Sequence, residues 1–280
     1  MKKKLFFCSD LHGYYLTFRE AIDKAGFNPK DESHLLVILG DLFDRGCASS
    51  DIYKYVRKLE SRGKAYVLNG NHGLFLIKFL QKQYDTSAWN YFHNGLDETI
   101  GDLLHQSKPF EKYCLHYHLN KNYINSETFC KWQDVAAAAI NNHYPGMLEW
   151  LKTRPKYFES KHYIGVHGAI DVNVDDWHEP NCKRWVYKNW DMLDFDDGSF
   201  FGSEINNTDK TVIIGHFGTS ELRRIYAKSG IISKDNPDND YDILYRDDGK
   251  VIAIDGTTVI SEQVNVLVVE DEMLEDEEKR

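Results

Sequence analysis

The chain has 280 residues, 42% hydrophobic and 28% charged, an ordinary globular composition that excludes a disordered or fibrous protein. Its 34 Lys and Arg stand against 44 Asp and Glu, and the net charge of −10 argues against a duplex-nucleic-acid binder that works by neutralising phosphates. The five cysteines, Cys8, Cys47, Cys114, Cys130 and Cys182, are odd in number and form no CxxC pair, which points away from a disulfide framework or a zinc knuckle and toward a reducing, cytoplasmic compartment.

Lys2, Lys3 and Lys4 precede an apolar run of only residues 5–8, shorter than the ~7–15 residues of a secretion signal. No run approaches the ~18 residues of a membrane span, so no membrane partner is expected. Residues 5–8, 35–39 and 65–68 are predicted strands, and apolar residues recur at helical spacing over 14–25 and 50–61 between them. Ser49 and Ser50 are the candidate N-caps of the second helix. The resulting βαβαβ rhythm predicts a parallel sheet covered by helices. From 84 to 156 the rhythm gives way to mixed helices, including 96–105 and 129–141, which read as a mainly helical insertion or lid. Its eleven Phe, Trp and Tyr between 84 and 144 are read as packing rather than as base-stacking surfaces.

Strands return at 162–166, 212–214, 242–245, 251–254 and 264–269, with Asp247-Asp248-Gly249 as a hairpin turn. Residues 270–280 carry seven acids and two bases and read as a frayed, solvated tail. One globular unit is expected, with a core of 1–83 and 157–269, an insertion of 84–156 and a tail of 270–280.

The chemistry stands immediately after each apolar run. Asp10-Leu11-His12-Gly13 follows the first, Gly40-Asp41 through Asp44-Arg45-Gly46 the second, Asn69-Gly70-Asn71-His72 the third, His167-Gly168 the fourth and Gly215-His216 the fifth. Sites in α/β sheets form where the carboxyl ends of strands converge. Asp10 and His12, two apart at a strand end, leave the same face and can bind one ion. The two oxygens of Asp41 can bridge to a second ion, for which Asn71, His167 and His216 supply oxygen and imidazole ligands. Such a mixed set suits Mn, with Fe or Zn as alternatives, better than Mg or Ca. The pair His116 and His118 reads as a solvated strand face rather than a further metal site.

These five ordered blocks resemble the motifs of the calcineurin-like metallophosphoesterases, and Asp44-Arg45-Gly46 resembles the phosphoprotein phosphatase branch, in particular its bacterial and phage serine/threonine phosphatases. Asn94-Gly95 with Thr99 partly resembles a bacterial pattern of that branch. The resemblance implies an α/β (α+β) fold, a β-sandwich core flanked by helices. It implies two divalent metal ions, one held by Asp10, His12 and Asp41, the other by Asp41, Asn71, His167 and His216. It also implies direct attack on the phosphoester by a water bridging them. His72 is then the expected general acid, Asp44 the acceptor of its other ring N–H, and Arg45, with Asn71, the phosphate-binding group. Two departures stand out. Gly73 replaces the glutamate usual after the Asn-His pair, and the usual second phosphate-binding arginine has only Arg184 or Lys188 as candidates. The expected activity is hydrolysis of phosphoserine or phosphothreonine in proteins. Hydrolysis of dinucleotide polyphosphates or other nucleotides is the alternative, and an inactive scaffold the remote one.

Overall fold

The computed structural model describes residues 2–105, 126–168, 178, 209–229, 240–246 and 249–274. In chain order the first half runs β1 (Lys2–Cys8), α1 (Tyr15–Lys24), β2 (His34–Ile38), α2 (Ser49–Glu60), β3 (Ala65–Val67) and α3 (Asn71–Leu80). Four helices follow, α4 (Tyr84–His93), α5 (Leu96–His105), α6 (Ser126–His143) and α7 (Met147–Lys152). The remainder comprises β4 (Tyr157–Glu159), β5 (Tyr163–Val166), β6 (Thr211–Ile214), α8 (Thr219–Ser229), β7 (Leu244–Tyr245), β8 (Val251–Ala253), α9 (Thr258–Ser261) and β9 (Leu267–Glu272).

Two mixed sheets result, in the orders β3-β2-β1-β9 and β4-β5-β6-β8-β7. The βαβαβ segment forms the parallel β3-β2-β1 core of the first, and β9 closes it antiparallel to β1. In the second, β5, β6 and β8 are parallel while the outer strands β4 and β7 run antiparallel. The period-two alternation of side chains assigns each strand residue to a layer. Phe6, Cys8, Leu36 and Ile38 face the helices, while Leu5, Phe7, Val37 and Leu39 face Phe158, Ile213, Ile252 and Ile254 of the second sheet. Because both faces are covered, β1 and β2 read as unbroken apolar runs rather than alternating ones.

The helical segment expected as an insertion or lid shares the helix-side core. Leu96, Ile100 and Leu103 of α5, Phe129, Trp132 and Ile140 of α6, and Trp150 of α7 join Phe18, Ile52 and Phe79 in one cluster. Among its described aromatic residues Phe129, Trp132 and Tyr144 pack inward, Trp132 at 5.6 Å from Phe79 and 4.8 Å from Tyr91, while Tyr84 and Trp89 stay exposed. Among the described residues no helix is long and apolar enough to cross a membrane.

Two expectations are corrected. Ser49 and Ser50 do not cap α2, whose first turn follows Ala48 without a side-chain cap. The N–H of Ser50 is instead satisfied by the carboxylate of Asp102 on α5, 2.6 Å away, where an acid also complements the helix dipole. Nor does the acidic run 270–280 begin as a frayed tail. Glu270, Asp271 and Glu272 belong to β9, paired with Lys4, Lys3 and Lys2, and only residues 275–280 of the run lie outside the described part.

Asp271 is 3% exposed and ties the two sheets together. It accepts the Ser160 hydroxyl at 2.7 Å, the His162 amide at 2.8 Å and the His162 ring at 2.6 Å. Burial alone would raise this carboxyl, but the hydrogen bonds from Ser160 and His162 outweigh it and hold it below its ordinary value. A depressed carboxyl contributes stability above its unfolded value, near 4, and loses it as pH falls through the folded one. Asp271→Ala should therefore lower unfolding free energy at pH 7 by about 1–3 kcal/mol. Urea titrations from pH 7 to pH 3 should show a shallower acid loss for the variant, and equal acid loss in both proteins would contradict the role of this carboxylate.

Candidate metal centre

The parallel strands of the two sheets bring their carboxyl ends to a common rim, and the polar residues that follow them meet there. Asp10 and His12 lie beyond the end of β1, in a turn rather than in extended chain. Their amides bond to the carbonyls of Gly40 at 3.2 Å and Asp41 at 3.0 Å. The two side chains therefore converge through a left-handed turn, not through the same-face alternation of a strand, which corrects the reason given for pairing them. Asp10 Oδ1 stands 3.9 Å from His12 Nε2.

The rim is built from strained backbone. Asp10, His12, Asp41, Asp44, Arg45 and His216 all have φ between 45° and 74°, in the left-handed region. Non-glycine residues there cost roughly 1–3 kcal/mol each and cluster at functional sites. Close packing of backbone on side chain accompanies the strain. A Cβ on Gly70 would lie 2.0 Å from Asp41 Oδ1, and one on Gly215 2.6 Å from Asp10 Oδ2.

Asp41 occupies the centre. Its Oδ1 accepts the amide of His72 at 3.0 Å, at the N-terminal end of α3, whose dipole favours a negative group. Its Oδ2 lies 3.2 Å from His167 Nε2 and 4.0 Å from His72 Nε2. Ligand atoms of Asp41, His167 and His216 lie within 4.8 Å of one another, as do those of His12, Asp41 and His72. Asn71 Oδ1 joins the first group at 3.0 Å from His167 Nε2. Asp10 borders the site by donating no ligand atom to either triad, its Oδ2 instead accepting the His216 amide at 2.9 Å.

The donor set suits a cation. His167 Nδ1 faces the Leu39 carbonyl at 3.0 Å and His12 Nδ1 the Phe43 carbonyl at 3.0 Å, so each Nδ1 carries a proton and each Nε2 faces the site. His167 Nε2 meets two oxygens, Asp41 Oδ2 and Asn71 Oδ1, acceptors that a second ring proton or a metal ion can satisfy. Burial opposes charge on His167, yet Asp41 and Asp10 push it up to about 9, so a metal ion held there would displace its Nε2 proton. Burial, reinforced by the neighbouring His167 charge, pushes His216 down to about 3, and burial with the charges of His72 and Arg45 holds His12 well below its ordinary value. His216 is therefore neutral, while the His12 Nε2 lone pair is taken up by Arg45 Nη1. Burial also works against Asp41, but His167 and His72 keep its carboxyl well below the usual range.

His72 Nδ1 is 2.7 Å from Asp44 Oδ2, the contact expected from the sequence. Arg45 is exposed, with Nη1 2.8 Å from His12 Nε2, at the mouth of the site. Arg184, Lys188, His116 and His118 lie outside the described residues. Two neighbours of the site have no role assigned from sequence. Asp255, 6% exposed, has its carboxyl pushed well above the usual range by burial and by Asp10; its place directly after a strand was the available signal. Asn69 explains Gly73: a Cβ at position 73 would fall 1.9 Å from Asn69 Oδ1, so the asparagine fills the space that a larger residue would need.

A sequence model of the calcineurin-like phosphoesterases matches residues 3–254. The symmetrical bis(5'-nucleosyl)-tetraphosphatase of Buchnera aphidicola subsp. Acyrthosiphon pisum (strain Tuc7) is 38% identical over 91 residues, 32% of each chain. The asymmetrical bis(5'-nucleosyl)-tetraphosphatase PrpE of Halalkalibacterium halodurans is 35% identical over 179 residues, 51% of this chain and 71% of that one. The chain thus spans about a third of the length of the first of these relatives. Among solved structures, a protein provisionally described as a diadenosine tetraphosphatase superposes with TM-score 0.51 at 13% identity, over 97% of this chain and 94% of that one. The likeness extends to the fold, two mixed sheets with flanking helices.

Gly70→Ala should force Asp41 aside and weaken Mn binding by about 10–100-fold in calorimetric titration. An affinity equal to wild type would remove Asp41 from the centre of the site.

Proposed function

The chain belongs to the calcineurin-like phosphoesterase family, and from that premise we propose that it is a divalent-metal-dependent hydrolase of dinucleoside polyphosphates of the bis(5'-nucleosyl)-tetraphosphate type. The observation that carries the metal-dependent chemistry is one buried carboxylate, Asp41, set between the His167 and His216 rings on one side and the His12 ring on the other. The substrate class is supported by relatives named as tetraphosphatases, both symmetrical and asymmetrical. The phosphoserine and phosphothreonine reading suggested by Asp44-Arg45-Gly46 has no comparable support among the relatives compared.

In this reading Asp10, His12 and Asp41 hold one ion and Asp41, Asn71, His167 and His216 the other. The ions supply positive charge for the phosphoryl oxygens and lower the pKa of an attacking water. The protein's own groups do the rest. Carbonyls of Leu39 and Phe43 accept from Nδ1 of His167 and His12, which orients each ring so that its Nε2 would face an ion. Arg45, on a left-handed turn, offers a planar fork to a phosphate. His72, oriented by Asp44, holds a proton at Nε2 for the leaving oxygen. Arg184 is the candidate second phosphate-binding cation.

With Mn present, the chain should hydrolyse diadenosine tetraphosphate with a kcat/KM at least about tenfold above that for a phosphothreonine peptide, and EDTA should abolish both activities. A preference for the peptide would restore the protein-phosphatase reading, and an EDTA-insensitive rate would overturn the metal assignment. His72→Ala should cost about 100-fold or more on an alkyl phosphate and far less on 4-nitrophenyl phosphate, whose leaving group needs no proton. Equal losses on the two substrates would deny His72 the acid role.

A further inference from the structure

The groups that hold the Asp44–Arg45 turn come from the helical segment rather than from the strands that carry the ligands. The Thr99 hydroxyl oxygen, in the first turns of α5, lies 2.7 Å from Asp44 Oδ1, 2.7 Å from the Asp44 amide nitrogen and 3.1 Å from Ser49 Oγ. A hydroxyl has one proton and two lone pairs. The amide can only donate, so the carboxylate receives the Thr99 proton and Ser49 donates to the remaining lone pair. Every valence of this hydroxyl is occupied, and Asp44, Ser49 and Thr99 are all 0% exposed, so water cannot substitute for any partner.

With Oδ1 pinned by Thr99, the Asp44 carboxylate cannot rotate, and its Oδ2 is left facing His72 Nδ1 at 2.7 Å. The adjoining residue is held from the same segment. The Gly95 carbonyl accepts the Arg45 amide at 3.0 Å, and a Cβ on Gly95 would come within 2.6 Å of that nitrogen. Asp44 and Arg45 both sit at strained angles, φ 74° and 73°, which persist only where surrounding contacts over-determine them.

We propose that Thr99 is a positioning residue for proton transfer to the leaving group: by clamping Asp44 Oδ1 it sets the orientation from which His72 presents Nε2. The proposal rests on the hydrolase reading for its kinetic consequence, while its structural core, the Thr99–Asp44–His72 chain, can be read without metal or substrate.

The test compares Thr99→Val, Thr99→Ala and Thr99→Ser with wild type. In the Mn-loaded enzyme, Thr99→Val and Thr99→Ala should lower kcat on an alkyl phosphate about tenfold or more while leaving KM and the rate on 4-nitrophenyl phosphate within about twofold, and Thr99→Ser should restore the alkyl rate. In a His72→Ala background, removing the Thr99 hydroxyl should cost nothing further on the alkyl substrate, because the two act as a unit. In the metal-free chain, proton NMR should show a low-field His72 Nδ1 proton that survives in Thr99→Ser and is lost in Thr99→Val and Thr99→Ala. Thr99→Ala adds no bulk and keeps the test open if Thr99→Val melts. Equal losses on both substrates, additivity with His72→Ala, or a low-field proton unchanged in the hydroxyl-free variants would each overturn the proposal. A wild type inert toward every phosphoester would sink the hydrolase reading instead, with the NMR comparison still deciding the clamp.

Discussion

Burying the Asp41 carboxylate at the meeting point of two sheets is the constraint on which the rest of the site depends. A carboxylate out of water is costly unless positive groups surround it. Here His167 and His72 face one oxygen and the amide at the start of α3 faces the other. The glycines at 40 and 70 leave just enough room, since a Cβ on Gly40 would come 2.8 Å from His167 Nδ1 and one on Gly70 would strike Asp41 itself. Charge, backbone strain and missing side chains thus form one design. The anion demands positive charge around it, and bringing imidazoles to it from several strand ends takes loops bent into conformations few residues adopt.

The fold provides the rigidity this needs. Two sheets packed through Phe7, Leu39, Phe158 and Ile213 fix the relative height of the strand ends, and β9 bonds its Asp271 across to Ser160 and His162 of the other sheet. On the opposite face, α5 uses residues one turn apart for two tasks. Asp102 caps α2 and Thr99 holds Asp44. A segment that reads as an accessory therefore contributes both apolar core and the hydrogen bonds that hold the Asp44–Arg45 turn.

Much of this was legible in the chain. Ligand-bearing residues sit directly after apolar runs because strands must be apolar when both faces are covered, and polar groups can emerge only where the strand stops. The three-residue strand β4, Tyr157–Glu159, was not legible, being too short for a periodic signal. Helix α3 was hidden because its Leu74, Phe75, Leu76 and Ile77 make a continuous apolar stretch that blurs a 3.6-residue period, and because its first residues, Asn71 and His72, read as loop chemistry. The capping of Ser50 by Asp102 and the hold of Thr99 on Asp44 join residues 52 and 55 positions apart, and nothing local announces such a contact. Asp271 was misread for the same reason: an acid in an acidic run looks solvated until the sheet that buries it is known.

The account stands on Asp41 joining two ions, and crystals grown with Mn and measured at the metal's absorption edge test this directly. Two anomalous peaks should flank the Asp41 carboxylate, one contacting His167, His216 and Asn71, the other His12 and Asp10. A single peak, or peaks that leave Asp41 uncoordinated, would contradict it.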